Sequence, residues 1–278
     1  MAPAANPAVG ANLLSKLDRL MIPIKINSVI YTLLNTGLSQ RYIMKHTLIE
    51  NSKTFLTYLE QWNTSLAPLS LEEIAQKPEE TAIISVDLIE GFCSIGPLAS
   101  PRVAGIVEPV VRLMRAAWQH GVRNILLTQD SHEEDAVEFG AFPPHCVRGT
   151  REAETVDAIR ALPFFDQILL IEKNSIASGL NAGVNQWLEQ HPGVKTFIVV
   201  GDCTDLCTYQ LAMHLRMDAN ERQRQRRVIV PANCVETYDR PVATAEAEGG
   251  LPHPGDLLHH IFLYHMALND IKVCREII

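Results

Sequence analysis

The chain has 278 residues, enough to bury a full core, and its 47% hydrophobic and 20% charged content is that of a globular protein. A formal net charge of -8 argues against a general nucleic-acid or anionic-membrane surface and leaves small-molecule chemistry as the better expectation. Six cysteines, Cys93, Cys146, Cys203, Cys207, Cys234 and Cys274, are too sparse for a secreted disulfide framework, which predicts reduced thiols and a cytoplasmic location.

Met1 to Gly10 is rich in Ala and Pro and has no periodic apolar face, so no regular element is expected there. The apolar run Ser28 to Leu34 is too short to span a membrane and is not followed by a cleavage site. From Ala11 to Gln61, apolar residues at helical spacing, Leu13, Leu17 and Leu20 among them, predict two to four helices. The polar run Ser70 to Glu80 predicts a connection with one short helix. A boundary near residue 78 follows, with a helical extension over 1–78 and a larger domain over 79–278.

Beyond that boundary, short apolar runs alternate with amphipathic stretches long enough for crossover connections. The predicted strands are Ala82 to Val86, Asn124 to Thr128, Gln167 to Ile171, Thr196 to Val200 and Arg227 to Val230. Between the first two, Val103 to His120 places Ile106, Val110, Leu113, Met114 and Ala117 on one helical face, with Gly121 as its C-cap. Strands this apolar are buried on both faces, so the fold class is α/β: a mainly parallel, doubly wound sheet flanked by helices.

Such sheets bind ligands at the carboxyl ends of their strands, and polar residues collect there. Asp87 follows the first strand, Asp130 and His132 the second, Lys173 the third and Cys207 the fourth. Cys207 ends Gly201-Asp202-Cys203-Thr204-Asp205-Leu206-Cys207, which reads as a strand, a tight turn and a helix start. Unpaired N–H groups at a helix start favour thiolate and can receive an oxyanion, which makes Cys207 the candidate nucleophile.

With these residues the chain resembles the isochorismatase-like cysteine hydrolases, in their nicotinamidase and pyrazinamidase branch, over about residues 80–278. The resemblance rests on Asp87 in Val86-Asp87-Leu88-Ile89-Glu90-Gly91-Phe92, on Lys173 in Ile171-Glu172-Lys173, and on the Cys207 turn. It implies a catalytic triad of Asp87, Lys173 and Cys207. It also implies a divalent metal ion, zinc, iron or manganese, held by the Asp130-Ser131-His132 pair and by His145 in Pro144-His145-Cys146-Val147-Arg148-Gly149-Thr150. Glu138 is either a water-mediated ligand or a plain surface glutamate. Phe92 and Phe142 occupy the positions of aromatic walls around a substrate ring. The backbone N–H groups of Cys203 and Cys207 are the implied oxyanion hole, the former set by a strained or cis bond after Asp202.

The expected activity is release of ammonia from a small amide, nicotinamide first, through a thioester on Cys207. Asn174-Ser175-Ile176-Ala177-Ser178-Gly179 departs from the aromatic-containing run usual after the lysine, so another small or carbamoyl amide is the alternative. A scaffold role using the N-terminal arm is the reading from a different class. Partners are expected to be a small amide and a second copy of the chain, with no nucleic acid and no membrane. Arg222, Arg224, Arg226 and Arg227 read as a solvated helix end or an oligomer contact, and His253, His259, His260 and His265 as mostly structural.

Overall fold

A computed structural model describes residues 47–278. The helices expected before residue 47 lie outside the described residues, while α1 (Leu48–Thr64) falls within them. Thr57–Ile278 form one compact unit, which holds all the elements discussed below.

Apolar, β-branched runs with no polar break form the central strands, because every side chain in them is covered from one side or the other. The strands are β1 (Thr81–Val86), β2 (Asn124–Asp130), β3 (Leu169–Lys173), β4 (Thr196–Asp202), β5 (Arg227–Pro231), β6 (Val235–Glu236) and β7 (Lys272–Cys274). All pairings are parallel, in the order β3-β2-β1-β4-β5-β7, with β6 pairing β4 beyond the end of β5. Alternate residues feed two cores. Ile83, Ile125, Leu127, Ile198, Val200 and Ile229 face α2 (Pro101–His120), whereas Ile84, Leu126, Phe197, Val199, Val228 and Val230 face the opposite layer. That layer consists of α3 (Ala182–Gln190), α4 (Cys207–Glu221) and α5 (Gly255–Leu268).

The helix α2 starts two residues before the predicted Val103, with Pro101 in its first turn where no N–H partner is needed, and ends on Gly121 at φ 108. The third strand departs from expectation by two residues. Phe165–Gln167 forms a 3-10 turn, so β3 runs Leu169–Lys173 rather than Gln167 to Ile171, and as an edge strand it leaves Leu169 and Leu170 over 40% exposed. The arginine run is also less solvated than expected. Arg226 is buried and pairs with Asp218 at 2.6 Å, and Arg222 reaches the other oxygen of Asp218 at 2.6 Å.

Register carries the fold to the site. Pairing β2 with β3 sets Asp130 opposite Lys173, and pairing β1 with β4 sets Val86 opposite Gly201. At that crossing the backbones leave no space: a Cβ on Gly201 would lie 1.9 Å from the Val86 carbonyl oxygen, and Gly201 has φ 110.

Candidate active site and metal centre

Four chemically reactive side chains meet where β1, β2, β3 and β4 end. Lys173 Nζ lies 2.8 Å from Asp87 Oδ2, 2.5 Å from Asp130 Oδ1 and 3.7 Å from Cys207 Sγ, and all four residues are buried. Asp87 turns off the strand in the left-handed region, φ 54. Its N–H donates to Thr128 O at 2.9 Å and its Oδ1 accepts the Asp130 N–H at 2.7 Å, which fixes the carboxyl against the lysine.

Two carboxylates around one ammonium cannot both be fully compensated. Burial, then the charge of Asp130, pushes Asp87 up to about 7. Burial acts the same way on Asp130, but Lys173 and His132 overcome it and hold Asp130 below its ordinary value. Burial pulls Lys173 down, yet Asp130 and Asp87 outweigh it, so the ammonium stays charged. At Cys207 the expectation of a thiolate is not met in the resting site. Burial pushes the thiol well up, and Lys173 only partly offsets it, so desolvation outweighs the helix start.

Asp130, His132, Glu138 and His145 bring one ligand atom each to within 4.8 Å of one another. The isolated bridge His132↔Val147 holds the two histidine segments together, with His132 N–H donating to Cys146 O at 3.0 Å and Arg148 N–H to His132 O at 2.8 Å. Each imidazole is oriented from behind. His132 Nδ1–H donates to Asn174 Oδ1 at 2.9 Å, and His145 Nδ1–H to Pro143 O at 2.8 Å. Such outer partners leave the Nε2 atoms to face a ligand. Nε2 of His132 is buried without a hydrogen-bond partner, and its neighbours Asp130 Oδ1 and Glu138 Oε1 stand at 3.6 and 3.8 Å. Burial pulls His132 down, but the acidic neighbours push it up on balance, so this pocket favours positive charge. Two imidazoles and two carboxylates with an orphaned nitrogen at their centre fit a divalent cation.

The two groups open on one cavity, through Cys207 on one side and through Asp130, Glu138 and His145 on the other. Phe92 and Phe142 both line it, with ring centroids 5.6 and 6.2 Å from that of His145. Leu98, Val103, Ile176, Leu206 and Tyr238 complete the apolar wall. The run after Lys173 therefore serves both halves of the site: Asn174 orients His132, Ile176 lines the cavity, and Ile176 N–H donates to Glu138 Oε2 at 3.2 Å.

The turn before Cys207 is closed by Leu206 and Thr208 N–H groups on Cys203 O, at 3.0 and 3.2 Å, and the Asp202–Cys203 bond is cis. Histidines of the C-terminal segment brace it from behind. His253 donates from Nε2 to Asp205 Oδ2 at 2.8 Å and from Nδ1 to Tyr238 O at 2.9 Å, while Thr237 donates to Asp205 Oδ1 at 2.6 Å. His259 Nδ1 hydrogen-bonds Thr204 Oγ1 at 2.9 Å. These histidines read from the sequence as mostly structural; their Asp205 and Thr204 partners lie 48 and 55 residues away along the chain, beyond the reach of local pattern.

Residues 81–248 match the family profile of the Isochorismatase domain. Among curated proteins, Nicotinamidase 1 of Arabidopsis thaliana is 29% identical over 234 residues, covering 76% of this chain and 92% of its own. Nicotinamidase/pyrazinamidase of Mycobacterium tuberculosis is 28% identical over 178 residues, 59% of this chain and 92% of its own. Among solved structures, the nicotinamidase of Bacillus subtilis superposes with TM-score 0.56 at 20% identity, covering 70% of this chain and 99% of that one. The pyrazinamidase of Pyrococcus horikoshii in complex with zinc gives TM-score 0.56 at 23% identity, with 70% and 99% covered. These likenesses in structure establish the α/β fold.

Proposed function

The chain belongs to the isochorismatase family of hydrolases, and from that premise we propose that it is a metal-assisted cysteine amidohydrolase of nicotinamide-type ring amides, with nicotinamide, cleaved to nicotinic acid and ammonia, as the first substrate to test. The observation that carries the reading is the single cavity lined by Cys207, by the two phenylalanines and by Asp130, Glu138 and His145 of the four-residue cluster. The names of the relatives in Arabidopsis thaliana and Mycobacterium tuberculosis support it.

An amide carbon is a poor electrophile, so the protein must supply a nucleophile, a seat for the oxyanion and a proton for the leaving nitrogen. Asp87, poised at about 7, takes the proton of Cys207 as the substrate arrives, and Lys173, which stays charged, stabilises the resulting thiolate at 3.7 Å. Cys207 Sγ attacks the carbonyl carbon, and the Cys203 and Cys207 N–H groups receive the oxyanion. Collapse of the tetrahedral adduct expels ammonia, protonated by Asp87, and leaves a thioester on Cys207. Asp87 then draws a proton from an attacking water, and thioester cleavage returns the thiol and the acid product. Asp130, His132 and His145, with Glu138 beside them, would hold a divalent cation, which supplies positive charge and open coordination positions at the β2 side of the cavity. Phe92 and Phe142 flank the ring.

A second reading, another small or carbamoyl amide, is favoured by Ile176, which brings the divergent run after Lys173 into the cavity wall. Ammonia release from nicotinamide by purified, metal-loaded protein separates the two. Turnover that disappears in Cys207→Ala and after chelation supports the first reading. Absence of turnover in the loaded wild type removes nicotinamide as substrate.

A further inference from the structure

Asp202 is the last residue of β4 and lies in the wall of the same cavity, yet the chemistry above gives it no task. The chain places an acid there at a high cost in desolvation. The residue is 1% exposed, its Oδ1 has no hydrogen-bond partner, and its Oδ2 has only the Cys203 thiol at 3.7 Å. Buried polar atoms in folded proteins are almost always satisfied, so an orphaned oxygen on a cavity wall marks a partner that arrives with the ligand. His132 Nε2 carries the same signature at the cation cluster.

Resting on the amidase reading, we propose that Asp202 is a specificity-determining residue that hydrogen-bonds a second polar group on the substrate. The preferred substrates are therefore small ring amides that bear a hydroxyl, amino or carbonyl group besides the scissile carboxamide.

Sheet order gives the direction of that group. Asp130 ends β2 and Asp202 ends β4, with β1 between them, so the two sit about 10 Å apart across the sheet edge. Leu98, Val103 and Leu206 line the same cavity and offer a ring no polar contact. Asp202 adds to that lining a buried carboxyl that neither the nucleophile nor the cation cluster engages. Burial, then the charge of Asp87, pushes its carboxyl well above the usual range against the pull of Lys173, which favours the protonated form that can both donate and accept. A neutral acid also avoids placing a third negative charge beside Asp87 and Asp130.

The test compares nicotinamide with a set of ring-hydroxylated nicotinamides on the metal-loaded wild type, Asp202→Asn and Asp202→Val. Asn conserves the shape, Val removes both carboxyl oxygens, and melting curves establish that both variants remain folded. The wild type should favour at least one hydroxylated ring over nicotinamide by about tenfold or more in kcat/KM. Asn, which keeps a donor and an acceptor, should retain part of that preference. Val should abolish it, mainly through KM for the hydroxylated ring. An unchanged hydroxylated-to-plain ratio in Asp202→Val overturns the role of Asp202 while leaving the amidase reading intact. Absence of ammonia release from every compound by the wild type overturns the amidase reading and this inference with it.

Discussion

Lys173→Met should test the electrostatic construction of the site more sharply than removal of the nucleophile. The side chain is 1% exposed, and its ammonium is shared between Asp87 at 2.8 Å and Asp130 at 2.5 Å. Methionine fills nearly the same volume, so the perturbation is electrostatic and leaves two buried carboxyls without their cation. Breaking a buried pair by removing one partner costs about 3–5 kcal/mol, a large part of the roughly 5–15 kcal/mol that holds a domain folded. Loss of the cation raises Asp87 further above its unfolded value near 4 and removes the charge that holds Asp130 below its own. A carboxyl with a raised folded pKa costs nothing in acid and progressively more as pH rises from its unfolded toward its folded pKa. The deficit relative to wild type should therefore be smallest near pH 4 and grow toward neutrality. Urea denaturation of metal-free protein across that range reads it directly. In a double-mutant cycle, Asp87→Asn should recover part of the loss, with a coupling of about 0.5–3 kcal/mol. A variant within about 0.5 kcal/mol of wild type at neutral pH, or a deficit independent of pH, would refute the shared-cation account.

Asn174→Ala should weaken divalent-metal affinity by about 10–100-fold, measured by competition with a chelator, because it removes the partner of His132 Nδ1 without touching a ligand atom. Gly201→Ala should yield no soluble folded protein, since its Cβ would meet the Val86 carbonyl at 1.9 Å from a backbone at φ 110; a normal melting curve would contradict this. The His253–Asp205 pair should stabilise the fold over a bounded pH window. Burial pulls His253 down but Asp205 raises it on balance, so its contribution is complete below its unfolded pKa of about 6.5 and lost as pH rises through the higher folded value. Burial raises Asp205 but His253 and Thr237 lower it on balance, so its contribution is present above about 4 and fades as pH falls through the lower folded value. The stability difference between wild type and His253→Asn should thus peak between those limits, and a flat difference from acid to alkaline pH would show that the pair does not act through charge.

The strands β1, β2, β4 and β5 were legible because a strand covered on both faces needs an uninterrupted apolar run, and few other elements do. The two-residue β6 and three-residue β7 carry no such signal; they pair because β4 and β5 are already in place. The same logic separates the site residues. Asp87, Asp130, Lys173 and Cys207 each sit at a strand end or helix start, where local pattern alone fixes their address on the sheet edge. Asn174, His253 and His259 act through partners 42, 48 and 55 residues away, and no local pattern encodes such a pairing.

Cys207 shows where local reasoning about chemistry has to give way to packing. A helix start favours the thiolate by a charge-dipole effect worth about 0.3–1 kcal/mol at exposed sites, up to roughly 2 kcal/mol in partly buried geometries. Removing a charge from water costs several kcal/mol, and at a 6% exposed residue beside Asp87 that cost is the larger quantity. The resting thiol is then a consequence of the fold, and so is its remedy. The burial that disfavours the thiolate also raises Asp87 to about 7, which makes that carboxylate a stronger base toward Cys207 than an ordinary aspartate. Lys173 holds both positions in register by touching both groups. Desolvation thus sets the nucleophile and the base together, and a substitution that admitted water to this corner would lower both pKa values and lose the match between them.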